Sequence, residues 1–264
     1  MDLNLIKNTA IGAAYKSADI INRFSGNLAG VSKKGPIDLV TEADVASEEN
    51  IIREIRQRFP DHEILAEESG LSRTGSSGDR WIIDPLDGTT NFAHQIPAYA
   101  ISIAFAADDE IKMGVVLNPV SGELFTGIRG QGATLNGHPI AVSAQPKISE
   151  SLLATGFAYD VKQMLDPVMR RLRQCIYASR GIRRIGAAAL DLCFVACGRF
   201  EGFWEENLKP WDTAAGWLIA EEAGARVTDF DGAPYELAKK QILATNGHIH
   251  DELRSALKIQ ADIA

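Results

Sequence analysis

The sequence predicts an α/β fold whose first half is rich in β-strands with helices and whose second half alternates strand and helix. Three observations carry this. Residues 99–107, 111–117 and 123–128 form a run of β signals, divided by turns at Asp108-Asp109 and Ser121-Gly122. From Ser151 onward, short apolar strands alternate with longer helical patterns. Two helical stripes precede the β run. Together these features imply two layered α/β units sharing one interface. The boundary is expected between Ser143 and Ser149, giving an N-terminal half of residues 1–146 and a C-terminal half of 147–264.

Residues 3–24 place Leu5, Ile6, Ala10, Ala13, Ala14, Ile20, Ile21 and Phe24 in a rough helical stripe. Residues 26–35 read as a loop, with glycine at both ends and Lys33-Lys34 inside. A second helix is predicted over 42–59. Thr41 is its N-cap and Asp44 stands at its third position, a capping-box pattern, while Pro60-Asp61 stops it. Short strands follow at 63–66 and 81–83, separated by a Gly/Ser-rich loop over 70–78. Asn136-Gly137 signals one more hairpin. The second half alternates strands at 152–155, 182–185, 202–204, 226–227 and 242–244 with helices at 166–178, 187–197 and 212–223. A closing helix follows His250.

The chain has 264 residues, 45% hydrophobic and 23% charged, as expected for a globular enzyme able to bury a sizeable core. A net charge of −8 argues against a general nucleic-acid or anionic-membrane binder, because both recruit through basic surfaces. Three cysteines, Cys175, Cys193 and Cys197, are too few and odd in number for a disulfide framework and read as core residues. No charged segment followed by an apolar run and cleavage site opens the chain, so a cytoplasmic location is expected. The longest apolar run, 98–107, is too short to span a bilayer and fits a buried strand.

The chemistry concentrates in Trp81-Ile82-Ile83-Asp84-Pro85-Leu86-Asp87-Gly88-Thr89-Thr90-Asn91-Phe92. An apolar strand delivers Asp84 at its end, and Pro85 biases that aspartate away from helix. Asp87-Gly88-Thr89 then resembles the entry to a helical turn, where free N–H groups attract an anion. The segment offers two carboxylates to a cation beside backbone donors for a phosphate. An ordinary strand-to-helix turn is the bland alternative. Ala66-Glu67-Glu68-Ser69 adds carboxylates after another strand, or is simply a solvated turn. Pro210-Trp211-Asp212-Thr213 opens a helix whose aspartate, taken alone, reads as a cap stabilised by the helix dipole.

Taken together and in order, these motifs resemble the inositol monophosphatase family. Asp84-Pro85-Leu86-Asp87-Gly88-Thr89 is similar to its main signature, and Trp211-Asp212-Thr213-Ala214-Ala215-Gly216 to its C-terminal one. Asp38-Leu39-Val40-Thr41-Glu42-Ala43-Asp44 and Glu67-Glu68-Ser69 resemble two further family motifs, so the likeness spans nearly the whole chain. The resemblance implies a layered αβαβα sandwich of the sugar-phosphatase type, usually a homodimer, that hydrolyses small phosphate monoesters with two to three Mg²⁺ ions and is often inhibited by lithium. Carried over by position, Glu67, Asp84 and the Leu86 carbonyl hold a first ion. Asp84, Asp87 and Asp212 hold a second, and Asp44 and Glu67 contact a third through water. Thr89, hydrogen-bonded to Asp44, orients the attacking water, and the N–H groups of Gly88 and Thr89 grip the phosphate. Lys33 occupies the place of a lysine that closes over the site. Glu205 and the Gly186-Ala187-Ala188 turn, with Asp212, line the pocket for the esterified alcohol.

Physical argument supports a metal. Phosphate monoester hydrolysis is among the slowest uncatalysed reactions, so on the order of 20 kcal/mol of barrier must be removed. A general base supplies roughly 3–5 kcal/mol. Carboxylates crowded together resist ionisation unless a cation lies between them. Oxygen-only donors favour Mg²⁺, with Mn²⁺ a substitute, and His94, a turn beyond the signature, is read as peripheral.

Thr90-Asn91-Phe92 resembles inositol- and fructose-phosphate enzymes, which makes a phosphorylated polyol or sugar such as myo-inositol 1-phosphate the first expectation. Fructose 1,6-bisphosphate, adenosine bisphosphate and NADP are the alternatives. A phospho-aspartate phosphatase needs Asp-x-Asp, and Pro85-Leu86 puts one residue too many between the aspartates. A regulatory binding protein on the same fold is the non-enzymatic rival, with Arg180, Arg183 and Arg184 as a basic cluster able to meet an acidic partner.

Overall fold

A computed structural model describes residues 1–25, 31–33, 39–72, 78–158 and 161–259, with the backbone alone at 31–33 and 39–40. Helix α1 (Leu3–Phe24) starts where the Asp2 carboxylate caps the Asn4 and Leu5 N–H groups at 2.9 and 3.0 Å. Its buried stripe includes Ile6, Ala10, Ala13, Ala14, Ser17 and Ile21. A hairpin of β1 (Val31–Lys33) and β2 (Leu39–Thr41) follows, where the sequence predicts only a loop. Strands of three residues are too short to display the alternation that marks a strand. Helix α2 (Glu42–Arg58) has its capping box at Thr41 and Asp44, as predicted.

Next come β3 (Glu63–Ala66), β4 (Gly70–Ser72), β5 (Arg80–Asp87), the one-turn helix α3 (Thr89–Ala93), β6 (Ala100–Ala107), β7 (Glu110–Asn118), β8 (Glu123–Ile128), β9 (Gly132–Leu135) and β10 (His138–Pro139). They form an eight-stranded sheet in the order β10-β9-β8-β7-β6-β5-β3-β4. Only β3 and β5 run parallel; the other neighbours are antiparallel. Asn136-Gly137 makes the predicted turn between β9 and β10, with both residues at positive φ.

The second half supplies β11 (Leu152–Thr155), α4 (Leu165–Ala178), β12 (Gly181–Arg183), α5 (Ala188–Ala196), β13 (Gly202–Glu206), α6 (Pro210–Glu222), β14 (Arg226–Thr228), β15 (Gln241–Thr245) and α7 (His250–Leu257). Its five strands pair as β12-β11-β13-β15-β14.

Packing follows the pattern of apolar side chains. Helices α1 and α2 cover one face of the large sheet through Ile6, Ile21, Ile51, Ile55, Ile101, Ile103 and Phe105. Helices α5 and α6 cover the other through Leu190, Cys193, Leu218 and Ile219 against Ala100, Ala104, Val116 and Phe125. The opposite sides of α5 and α6 rest on the small sheet, with Leu192 and Val195 against Phe203 and Ala244. Helices α4 and α7 close the stack with Cys175, Leu253 and Leu257 against Leu153 and Leu243. The order of layers is therefore αβαβα. Strand β6 is buried along its whole length because it is covered on both faces, which explains an apolar run broken only by Ser102. Helix α6 lies so close to the large sheet that a Cβ at Gly114 would stand 2.7 Å from the Ala215 carbonyl oxygen. Among the described residues no helix is long and apolar enough to cross a membrane.

Candidate active site

Strand β5 ends in a bulge, with its register against β6 shifting between Asp84 and Asp87. Both aspartates line the same cavity. The Leu86 N–H turns back to Asp84 Oδ1 at 3.0 Å, fixing the loop around Pro85. Gly88 then adopts φ +94°, and an added Cβ would lie 3.0 Å from the Ala98 carbonyl oxygen and 3.2 Å from that of Gly186. Only glycine fits both the conformation and the space. Thr89 opens α3, whose first N–H groups lack acceptors within the helix.

Four other segments meet this turn. Helix α2 brings Asp44, whose Oδ1 accepts the Thr89 hydroxyl at 2.8 Å. Asp44 Oδ2 takes the Thr41 N–H at 2.8 Å and the Thr41 hydroxyl as well. Strand β3, parallel to β5, places Glu67 beside it. Helix α5 points its first turn at Asp87, and the Ala189 N–H donates to Asp87 Oδ2 at 2.7 Å. Helix α6 presents Asp212, which caps the helix through the Lys209 N–H at 2.7 Å and still faces the cleft. Asp212 therefore caps α6 and lines the cleft at once.

These residues surround a cavity of about 240 Å³ lined by Glu67, Asp84, Leu86, Asp87, Gly88, Thr89, Gly186, Ala188, Glu205 and Asp212. Asp44, buried behind Thr89, completes the set. The Lys33 side chain, Lys34 and Asp38 lie outside the described residues. His94 caps the end of α3 and does not line the cavity, in keeping with its peripheral reading.

The electrostatics are those of crowded carboxylates in a dry place. Burial, then the charges of Glu67, Asp87 and Asp212, push Asp84 well above the ordinary aspartate range. Asp87 rises to about 7, chiefly through burial, against the restraining N–H bonds of Ala189 and Ala188. Asp44 is raised by burial while its threonine hydrogen bonds oppose the shift. Each of Asp84, Asp87 and Asp212 has one oxygen held by a backbone N–H. As they stand, no three acidic, imidazole or thiol side chains among the described residues converge into a cage for an ion. Like charges with no cation between them repel. The donor set still fits a hard divalent cation: four carboxylates and a main-chain carbonyl, all oxygen, around one cleft.

Several residues escaped the sequence reading. Gly156, just after β11, allows Glu205 its place, because a Cβ there would stand 2.0 Å from Glu205 Oε2. A glycine closing an apolar strand was the available signal. Arg184 separates from the basic cluster in which the sequence placed it. All three are exposed, but Arg184 alone also lines the cavity, lies 5.7 Å from the Phe157 ring and acts to lower the pKa of Asp87, Asp191 and Glu205. Arg184 follows the last residue of β12, and its place at the cavity depends on the tertiary fold, which a charge count cannot show. Asn91 stitches α3 to the second half, donating to the Ala98 and Ile185 carbonyls at 2.6 and 2.9 Å. Asp191, on α5, is wholly buried, and both its carboxylate oxygens lack a hydrogen-bond partner among the described residues.

A carboxylate-lined cleft between two stacked sheets, with a threonine hydroxyl aimed at a buried aspartate, defines a metal-dependent phosphate-ester hydrolase. The chain belongs to the inositol monophosphatase family, whose model matches residues 2–261. The family comprises phosphoric monoester hydrolases. The chain is 48% identical over 257 residues to the inositol-1-monophosphatase of Synechocystis, covering 97% of this chain and 90% of that protein. It is 43% identical over 245 residues to the Nus factor SuhB of Pseudomonas aeruginosa, covering 90% of each. Among solved structures, the extragenic suppressor protein suhB from Bartonella henselae superposes with a TM-score of 0.93 at 42% identity, covering 97% of this chain and all of that one.

Proposed function

We propose that this chain hydrolyses a small phosphorylated polyol or sugar, with myo-inositol 1-phosphate the first candidate, using Mg²⁺ held in the carboxylate cleft. The observation that carries the reading is the Thr89–Asp44 hydrogen bond set at the edge of the cavity that Glu67, Asp84, Asp87 and Asp212 line. Glu67, Asp84, Asp87, Asp212 and the Leu86 carbonyl would hold the ions, and Mn²⁺ would serve as a substitute. When bound, the metal supplies the positive charge that acidifies water and offsets charge on the attacking and leaving oxygens.

The chain's own groups do the rest. Thr89 gives its proton to Asp44, so its oxygen keeps lone pairs free to accept a proton from water. The water oxygen attacks phosphorus, the bond to the ester oxygen breaks, and the departing alcohol takes a proton from solvent. Gly88 and Thr89 present N–H groups to the phosphate. Glu205, with its pKa raised to about 8 mainly by burial, faces the alcohol beside Gly186 and Ala188. A cavity of about 240 Å³ suits a small ester better than a dinucleotide. We further propose a cytoplasmic homodimer, its oligomeric state to be measured by sedimentation and its location by fractionation.

The test is phosphate release with and without Mg²⁺ from inositol 1-phosphate, fructose 1,6-bisphosphate, adenosine 3′,5′-bisphosphate, NADP and histidinol phosphate. Mg²⁺-dependent turnover of a polyol phosphate above the others is expected. Preference for a nucleotide would move the substrate to the alternative class. A second reading, a regulatory binding protein on this fold, draws on the relative named Nus factor SuhB. Absence of turnover on every ester would favour it.

A further inference from the structure

Helix α2 presents more to the site than Asp44. Ser47 and Glu48 follow at i+3 and i+4, so one turn aims all three in nearly the same direction. They are 0%, 0% and 4% exposed. The Ser47 hydroxyl donates to the Pro85 carbonyl at 2.9 Å. The Glu48 carboxylate takes the Glu68 N–H on Oε2 at 2.8 Å and the Ser69 N–H on Oε1 at 2.9 Å. A buried carboxylate is costly unless both oxygens are satisfied, and here both are, by the backbone of one turn. That turn carries Glu67, and the Pro85 turn carries Asp84, Leu86 and Asp87. The helix is itself anchored to α1: Asn50 Nδ2 donates to the Ala13 carbonyl at 3.2 Å and to Ser17 Oγ at 2.9 Å, and Ser17 donates to the Ser47 carbonyl at 3.2 Å.

We infer that Ser47 and Glu48 are positioning residues for metal binding, which with Asp44 lock the Glu67 turn and the Asp84–Thr89 turn to one rigid helix and so set the spacing between their carboxylates. The inference rests on the reading that Glu67 and Asp84 hold Mg²⁺. Neither residue touches the cavity; each acts through the loop it grips. Groups that orient metal ligands in this way change affinity by about tenfold to a hundredfold when altered.

Glu48→Gln keeps the size but turns an NH₂ toward one of the two N–H groups, losing one bond. Three quantities are read on the full-length protein: the dissociation constants for Mg²⁺ and Mn²⁺ alone by calorimetry, the Mg²⁺ concentration for half-maximal ester hydrolysis, and the melting temperature in EDTA. Glu48→Gln is expected to raise both metal quantities about tenfold or more, with kcat recovering at saturating Mg²⁺ and ester KM unchanged. Ser47→Ala, nearly isosteric, is expected to raise them roughly threefold, the worth of one neutral hydrogen bond. Asn50→Ala is the structural control. It removes one α1–α2 contact while leaving both metal-bearing turns gripped, and should lower the melting temperature while moving the Mg²⁺ midpoint far less than Glu48→Gln does. If the parent binds Mg²⁺ and turns over ester while Glu48→Gln and Ser47→Ala show parental metal constants, the positioning role is overturned and the metal site stands. If Glu48→Gln does not fold, Ser47→Ala decides. A parent that binds no divalent ion in the calorimeter removes the metal reading, and this inference falls with it.

Discussion

The hydroxyl of Thr89 donates to Oδ1 of Asp44 across 2.8 Å, joining residues 45 apart in sequence inside a buried pocket. Thr89 is drawn by a second acceptor, the Leu86 carbonyl at 3.1 Å, but it has one proton and the carboxylate is the stronger acceptor. Thr89→Val keeps the shape and removes the proton path. Its kcat for the best ester is expected to drop by about a hundredfold or more, with KM little changed, while Thr89→Ser retains most activity. Near-parental turnover by Thr89→Val would free the water from any dependence on this pair.

Asp87 stands where the α5 N-terminus and the β5 bulge meet, one oxygen on the Ala189 N–H and the rest of the carboxylate facing the cleft. Asp87→Asn preserves the fold because the amide oxygen can still take that N–H. Turnover should nevertheless fall by about a thousandfold, as for other lost electrostatic groups at phosphate sites. Activity within about tenfold of the parent would exclude Asp87 from a second metal site.

Glu205 owes its position to Gly156, whose missing side chain leaves the carboxylate its room. Gly156→Ala would force Glu205 to move without straining the backbone, and Glu205→Gln would remove its charge in place. Both are expected to change the ranking of phosphate esters more than the rate on the best one. Initial rates across the five-ester panel measure this. Equal losses on every ester would take Glu205 out of the specificity role.

What the sequence made legible were features that depend on near neighbours. Pro85 after an apolar strand marks Asp84, and Thr41 three residues before Asp44 marks the start of α2, as the structure has it. The two layered units followed from the succession of strands and helices, and the αβαβα order from the family resemblance; the mainly apolar β6, buried along its whole length, agrees with a sheet covered on both faces. Residues whose meaning depends on distant partners were opaque. Glu48 sits in a polar Ser-Glu-Glu-Asn stretch that reads as solvated surface, yet it is buried under the Glu67 turn. Arg184 looks equivalent to Arg183 in sequence although only Arg184 lines the cavity, and nothing near Asp191 in sequence signals that two sheets close over it.

Asp191 gives a pH dependence of stability that one substitution can isolate. Burial, then the charges of Glu205 and Asp87, raise its pKa well above 3.8, with Arg184 opposing. In the folded protein the carboxyl therefore keeps its proton to higher pH than in the unfolded chain, where it ionises around 3.8. The native state binds the extra proton across that window, so stability is lost as pH rises toward the folded pKa. Each unit by which the folded value exceeds the unfolded one is worth about 1.4 kcal/mol at high pH. Asn at this position stays neutral at every pH and leaves a comparably unpartnered polar group, so the burial costs nearly cancel and the ionisation cost disappears. In EDTA, Asp191→Asn is expected to melt above the parent at about pH 8, with the gap closing as pH falls toward about 4. Parallel melting curves across that range would mean that Asp191 ionises within the fold and is balanced there by Arg184.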